Sequence, residues 1–173
     1  IFGGIMSLKR LYEFWEEKPL TEKPRLAGRH DQKETLQIVR AMCKDMNIPV
    51  PKIKFVKSLP KVENHSMYAH YDFDRNILII NESMNKDADE FLKTLLHELY
   101  HAKDAKKYGS KFQKEYEKEI AYFQALNPDK ADEWYKHNSF EINAEKFAQK
   151  NYKKWQKIYD KVQMRKHLDN DGF

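Results

Sequence analysis

The chain is poor in the residues that cross-link or interrupt a fold. It contains one cysteine, Cys43, among 173 residues, so an intramolecular disulfide is excluded. A lone cysteine also suits a reducing compartment, and we expect a cytoplasmic protein. Glycine and proline number only 5 and 6, which excludes a low-complexity chain and argues against a turn-rich β-sandwich.

Long apolar runs are absent as well. The longest aliphatic run covers residues 77–80, far short of the ~20 residues that a membrane-spanning helix needs. The chain does not open on a basic segment followed by an apolar run and a small-residue cleavage site. The sequence therefore predicts neither a secretory signal nor a membrane partner.

The excess of positive charge is small. Charged residues make up 34% of the chain, yet the net charge is only +5 and the isoelectric point about 9.0. Lysines and acidic residues are interspersed along the sequence, as on an ordinary solvated surface. We therefore expect no nucleic-acid partner, although the basic balance keeps that alternative open.

Proline positions and helical spacing divide the chain into an extension and one domain. Residues 1–29 hold a short amphipathic helix, predicted from the apolar residues of 8–15, and a proline-containing extended connector. Residues 30–173 are expected to form a single domain. Its sheet-containing part spans 30–108 and its helical part 109–173.

The first part combines one helix with a small sheet. Asp31 and Glu34 form a capping-box pattern that opens a helix ending near Pro49. Residues 53–56 are predicted to form a strand. Residues 67–73 and 77–81 are predicted to form a strand pair around a turn at 74–76, so we expect a largely antiparallel twisted sheet.

Helices dominate the remainder. A helix opening at Asp87 or Asp89 is followed by one over about 110–127, a short one around Trp134 and a long one over about 139–168. The fold class predicted is α+β, with the sheet packed on the first helix and on the helix that opens at Asp87 or Asp89, followed by a helical C-terminal part. The long helix should bury a single stripe of residues: Phe140, Ala144, Phe147, Asn151, Trp155, Ile158 and Val162.

The most informative motif is His97-Glu98-Leu99-Tyr100-His101, an H-E-x-x-H pattern. Two histidines four residues apart on a helix point the same way, so both imidazoles can bind one Zn²⁺ ion. Glu98 is then placed to take a proton from a metal-bound water, as the general base of a hydrolytic site.

A hydrolytic zinc site requires a third protein ligand and an open coordination position for water. The position six residues beyond His101 is Lys107, so the histidine of the metzincin pattern is absent. Glu141 is the best candidate. Glu145 lies four residues later on the same helix face and could accept the free ring N–H of a ligating histidine.

These residues resemble the gluzincin clan of zinc metallopeptidases, whose type fold is the thermolysin catalytic core. The resemblance covers about 66–150 and is nearest to small soluble members such as the ImmA/IrrE-like peptidases. It implies a zincin-like domain that binds one zinc ion through His97, His101 and Glu141, with Glu98 as general base and Glu145 as the orienting carboxylate. It also implies a protein or peptide substrate held as an extended strand against an edge strand.

The sequence departs from that pattern at two positions. Tyr100 stands where many relatives have glycine, and Glu145 stands where the orienting residue is usually aspartate. Other interpretations of the acidic residues also remain. Asn138 to Glu141 is itself a capping-box pattern, so Glu141 could serve only the helix start. Glu145 could pair with neighbouring lysines on a wet surface.

Four further residues are weaker candidates for the site. Asp104 follows His101 by one turn, where it is either an outer-shell partner or a surface charge. Tyr68, His70 and Tyr71 lie on the predicted edge strand. They could stabilise an oxyanion or bind substrate, or they could be ordinary packed strand residues.

Two rival functions remain beside the metallopeptidase. One is a non-proteolytic module that keeps a zincin fold to bind or regulate a partner. The other is a basic nucleic-acid-binding protein that uses the lysines of the C-terminal helix. Those lysines occupy several faces of the helix and are interrupted by Glu145 and Asp160, so a solvated surface accounts for them.

Overall fold

The fold was analysed in a computed structural model, which describes residues 32–59, 61–62, 65–66, 68–82 and 88–170. The predicted helix at 8–15 and the proline-containing connector lie outside the described residues. The described chain is mixed α+β and mostly helical, in agreement with the predicted fold class.

Helix α1 (Gln32–Asp45) packs one apolar face into the core. Val39, Met42 and Cys43 on this face are completely buried. The turn after the helix contains Asn47, whose φ of 54° lies in the left-handed region that short polar side chains tolerate. The chain then turns back, and the Ile48 N–H donates to the Cys43 carbonyl at 2.9 Å.

Three strands form the main sheet, in the order β1 (Lys52–Val56), β5 (Ile77–Asn81), β4 (Ala69–Asp72). β5 pairs in parallel with β1 and in antiparallel with β4. The expectation of a largely antiparallel sheet is therefore wrong for this sheet, which is mixed. The connection from β1 to β5 is long enough to return the chain to its starting side, as a parallel pair requires.

The predicted strand pair around residues 74–76 is confirmed as β4 and β5. The register pairs Ala69 with Ile80 and Asp72 with Ile77. The turn is fixed by the Asp72 carboxylate, which accepts the Arg75 N–H at 2.9 Å, and by Asn76, whose φ is 53°. A separate two-stranded antiparallel sheet joins β2 (Lys61–Val62) and β3 (His65–Ser66).

Helix α2 (Ala88–Tyr108) carries the H-E-x-x-H motif through the centre of the molecule. Its apolar face, which includes Leu92, Leu95, Leu96 and Leu99, is completely buried. These leucines share one core cluster with residues of β5, α1 and the last helix. Burying a leucine contributes roughly 1.5–3 kcal/mol, so this helix is firmly held.

The C-terminal half is helical, as predicted. Helix α3 (Phe112–Leu126) follows a 3₁₀ turn, and a 3₁₀ segment (Pro128–Lys136) leads into the long helix α4 (Ser139–Asn170). Phe140, Ala144 and Trp155 are buried as predicted. Ile158 is 39% exposed, so its predicted burial is wrong, and Tyr159 is buried instead because it lies four residues after Trp155. No described helix is long and apolar enough to cross a membrane.

Candidate metal centre

Two helices bring three potential ligands together. His97 and His101 lie one turn apart on α2, and Glu141 lies in the first turn of α4. The side chains of His97 and Glu141 are 20% exposed and that of His101 is 9% exposed. The donor atoms all lie within 4.8 Å of one another, so one ion could contact all three.

The pairwise distances between these atoms are close to those between ligand atoms around a tetrahedrally coordinated ion. His97 Nε2 and His101 Nε2 are 3.1 Å apart. Glu141 Oε2 lies 3.2 Å from His97 Nε2, and Glu141 Oε1 lies 3.3 Å from His101 Nε2. Zinc with bonds of about 2.0–2.1 Å spaces neighbouring ligand atoms by about 3.3–3.4 Å. Each of these three pairwise distances is near that value, although the two histidines approach different oxygens of Glu141.

A separate residue caps α4 and leaves Glu141 free for the centre. The Asn138 side-chain oxygen accepts the Phe140 N–H at 2.9 Å and the Glu141 N–H at 3.4 Å. Glu119 accepts hydrogen bonds from the N–H and hydroxyl of Ser139, both at 2.6 Å. The Glu141 carboxylate points at the two histidines, and the helix start is satisfied by these other groups.

Tyr116 on α3 is a site residue that sequence reasoning missed. Its hydroxyl donates a hydrogen bond to Glu141 Oε1, and its ring is only 8% exposed. The backbone carbonyl of Tyr116 also accepts from the Asn138 side chain at 3.2 Å, so α3 and the start of α4 are joined on both sides of Glu141. In the sequence, Tyr116 was marked only as an aromatic residue at helical spacing from Phe112, a pattern that ordinarily indicates a core residue.

Glu145 lies on the outer side of His97. Its carboxylate is 3.6 Å from His97 Nδ1, the ring nitrogen that faces away from Glu141, and Gln149 donates to the other oxygen at 2.8 Å. The contacts with His97 and Gln149 lower the pKa of Glu145 to about 2. This is the position in which a carboxylate can fix the tautomer of a ligating histidine.

The cluster is arranged to hold positive charge. Burial alone would raise the pKa of Glu141, but its hydrogen bonds with His101 and His97 outweigh this and hold the pKa far below the ordinary value. Burial would lower the pKa of His97, but its contacts with Glu141 and Glu145 raise it to about 10. A cation between these groups is therefore strongly favoured, whether that cation is a proton or a metal ion.

Glu98, between the two histidines in sequence, contacts the sheet through its carboxylate. One oxygen of its carboxylate, Oε2, accepts the backbone N–H of Tyr71 on β4 at 2.7 Å. In the described part of the chain β4 pairs on one side only, with β5, so this N–H belongs to its outer edge. The edge strand thus donates a hydrogen bond to Glu98, the residue that the sequence predicts to be the general base.

The strand residues predicted beside the site take different positions. The Tyr71 ring is buried, and its hydroxyl donates to the Asn76 side chain at 3.0 Å, so its backbone rather than its phenol meets Glu98. The Tyr68 carbonyl accepts from the Asn81 N–H on β5 at 2.8 Å, which turns it toward the sheet. His70 is half-buried on β4. Substrate or oxyanion contacts for these three residues stay a prediction.

Asp104 is buried one turn after His101, with 7% of its surface exposed. Burial raises the pKa of Asp104, and the nearby His101 opposes that effect. His101 Nδ1 has no hydrogen-bond partner among the described residues. Asp104 is therefore a buried neighbour of an unpaired ring nitrogen, and an outer-shell role for it stays a prediction.

Comparisons with protein-family models, with curated proteins and with solved structures gave no match to this chain.

Proposed function

We propose that this protein is a zinc-dependent metallopeptidase with a zincin-like fold of gluzincin type, acting on protein or peptide substrates in the cytoplasm. The proposal rests on one observation above all. The three donors from α2 and α4 converge at 3.1–3.3 Å, and Glu98 lies one residue from a donor on the same helix.

Each residue of the cluster has a part in this proposal. His97, His101 and Glu141 would hold the ion, Glu145 would orient His97 and Tyr116 would orient Glu141. Zinc, when bound, supplies Lewis-acid polarisation of the scissile carbonyl and lowers the pKa of water at the site. The remaining open position would face Glu98.

Glu98 would perform the proton transfers of peptide hydrolysis. Its carboxylate would accept a proton from the attacking water and then deliver it to the leaving amine. The Tyr71 N–H would keep one oxygen of that carboxylate in place, so the other oxygen, Oε1, would meet the water. The other backbone groups on the outer edge of β4 would align the substrate backbone as an added strand.

The proposal is tested by separating metal binding from hydrolysis. We expect the purified protein to bind one zinc ion, measured by elemental analysis and competition titration. Glu98→Gln should retain that zinc but lower hydrolysis of a mixed peptide library by about 10²- to 10⁴-fold, read by mass spectrometry. Glu90→Gln, on the exposed start of the same helix, is the matched control and should change neither quantity.

Three outcomes divide the alternatives. A folded protein without zinc affinity would overturn the metal site and the peptidase together. Zinc binding without turnover on the library would favour the non-proteolytic binding module. Binding to DNA or RNA that weakens steeply with added salt, with no zinc bound, would favour the nucleic-acid alternative.

A further inference from the structure

A cavity of about 520 Å³ opens beside the candidate metal centre, between the end of β4, the second half of α2 and the start of α3. We call it the Ala105 cavity. Its walls include Tyr71, Phe73, Ala102, Ala105, Gly109 and Phe112. None of these residues was assigned a side-chain role in the proposed reaction.

Small residues on one face of α2 create the space. Ala102 and Ala105 follow Glu98 by four and seven residues, so all three lie on the same side of the helix. Gly109 continues this face at the helix end, with a φ of 57° and nothing within 4 Å of where a Cβ would stand. The cavity therefore continues directly from the side of the helix that carries the proposed general base.

Two aromatic rings separate the cavity from the metal ligands. Phe73 and Phe112 meet edge to face with their centroids 5.2 Å apart. Phe112 is 1% exposed, and its ring lies 6.4 Å from that of His101. Phe112 thus contacts the ligand cluster while forming part of the cavity wall.

Three of the polar or charged residues that line the cavity have hydrogen-bond partners; besides Tyr71, the full set is Asp74, Asn76, Lys106, Ser110 and Gln113. The Tyr71 hydroxyl donates to Asn76, and the Lys106 ammonium donates to the Asn47 carbonyl at 2.6 Å. The exposed Asp74 lies at the rim. An entering apolar group would meet alanine and phenylalanine surfaces, and Asn76, Lys106 and Gln113 are already engaged with other residues.

The edge strand and α2 run side by side toward this cavity. Tyr71 contacts Glu98. Phe73 and Asp74, in the turn that directly follows β4, line the cavity together with Ala102 and Ala105. Along a helix, Ala102 lies about 6 Å and Ala105 about 10 Å beyond Glu98. An extended peptide covers that distance in about two or three residues.

We infer that the Ala105 cavity receives an apolar side chain of the substrate, two or three residues to the N-terminal side of the cleaved bond. This side of the bond follows because a substrate paired in antiparallel with β4 would place its N-terminal residues at the cavity end of the strand. Antiparallel pairing is the more stable arrangement per residue. This inference rests on the proposed function, because it takes the cleaved bond to lie at Glu98. The chemical class is an uncharged aliphatic or aromatic side chain.

Filling the cavity should change specificity without changing the metal site. Ala105→Leu should lower kcat/KM about 10- to 100-fold for peptides with leucine or phenylalanine at that position, the effect of losing one buried side chain. Peptides with alanine there should be cleaved as before, and zinc affinity should be unchanged. The matched control is Ala125→Leu, on an exposed part of α3, which should leave both substrates unaffected.

A second measurement needs no hydrolysis. The Glu98→Gln protein is titrated with N-acetyl-phenylalaninamide and, separately, with N-acetyl-lysinamide, and the backbone amides are followed by NMR. We expect the first probe alone to shift the signals of Ala102, Ala105 and Gly109, and Ala105→Leu to abolish those shifts.

The two experiments separate this inference from the proposed function. Selective shifts in Glu98→Gln, together with no cleavage by the unmodified protein, would support the cavity and count against the peptidase. Hydrolysis with equal preference before and after Ala105→Leu would overturn the cavity and leave the peptidase standing. Equal shifts with both probes would overturn the apolar selectivity.

Discussion

Two faces of helix α2 meet very different surroundings. The face with His97 and His101 meets polar groups from α3 and α4, which pair with almost every available nitrogen and oxygen. The face with Glu98, Ala102 and Ala105 meets a strand edge and an open cavity lined by both apolar and polar residues. Helix α2 therefore has a charged ligand cluster on one face and an open cavity on the other.

This difference implies that substitutions on the two faces should have separable effects. Changes on the ligand face should alter metal affinity, because its groups are paired with one another. Changes on the cavity face should alter substrate preference, because its residues leave room for a ligand. The predictions below test that separation, from the largest expected effect to the smallest.

The ligand face depends most on His101, the most buried of the three proposed ligands. We expect His101→Ala to lower zinc affinity by more than about 100-fold, since even the loss of an outer-shell partner costs 10–100-fold. Competition with a fluorescent zinc chelator measures this. His137→Ala is the control, because His137 stacks on Phe123, away from the cluster. Equal zinc affinity in both variants would remove His101 from the site.

Cys43 reports whether metal binding stabilises the whole fold. Its thiol is completely buried, and burial raises its pKa to about 11, so at pH 8 only about one thiol in a thousand is the reactive thiolate. Native protein should therefore be alkylated only as fast as it opens. Zinc at 100 times its dissociation constant should slow alkylation by up to about 100-fold. An unchanged rate in the presence of bound zinc would mean that Cys43 is exposed by a local opening that leaves the site intact.

Tyr116 should be a positioning residue for Glu141. Removing its hydroxyl in Tyr116→Phe should weaken zinc binding by about 10- to 100-fold and leave the aromatic packing in place. The matched variant is Tyr122→Phe on the same helix, where the side chain is 69% exposed. Loss of thermal stability without loss of zinc affinity would reduce Tyr116 to a core residue.

Glu145 should have the smallest effect of the four, because its side chain is 58% exposed. Glu145→Gln should weaken zinc binding by about 10-fold, since an amide is a poorer acceptor for the His97 ring N–H. The comparison is Glu133→Gln, an equally simple change in another exposed ion pair. Identical behaviour of the two variants would make Glu145 an ordinary surface acid.

Much of the fold could be predicted from local pattern. Helical spacing together with start and stop signals located the four α-helices among the described residues. The turn at 74–76 was found because Asp and Asn residues favour it. The parallel pairing of β1 with β5 was not found, since it joins segments that are distant in sequence and leaves no local signal.

For the candidate site, the sequence determined which residues could act as ligands. His97, His101 and Glu141 were named from spacing, which fixes the face of a helix but not what that face meets. Tertiary structure decided the rest. It brought α4 against α2 so that the donors lie 3.1–3.3 Å apart. It also placed the Tyr116 hydroxyl on Glu141, the Tyr71 N–H on Glu98 and a cavity beside two alanines. These contacts join separate elements, and only the packing of the whole chain determines them.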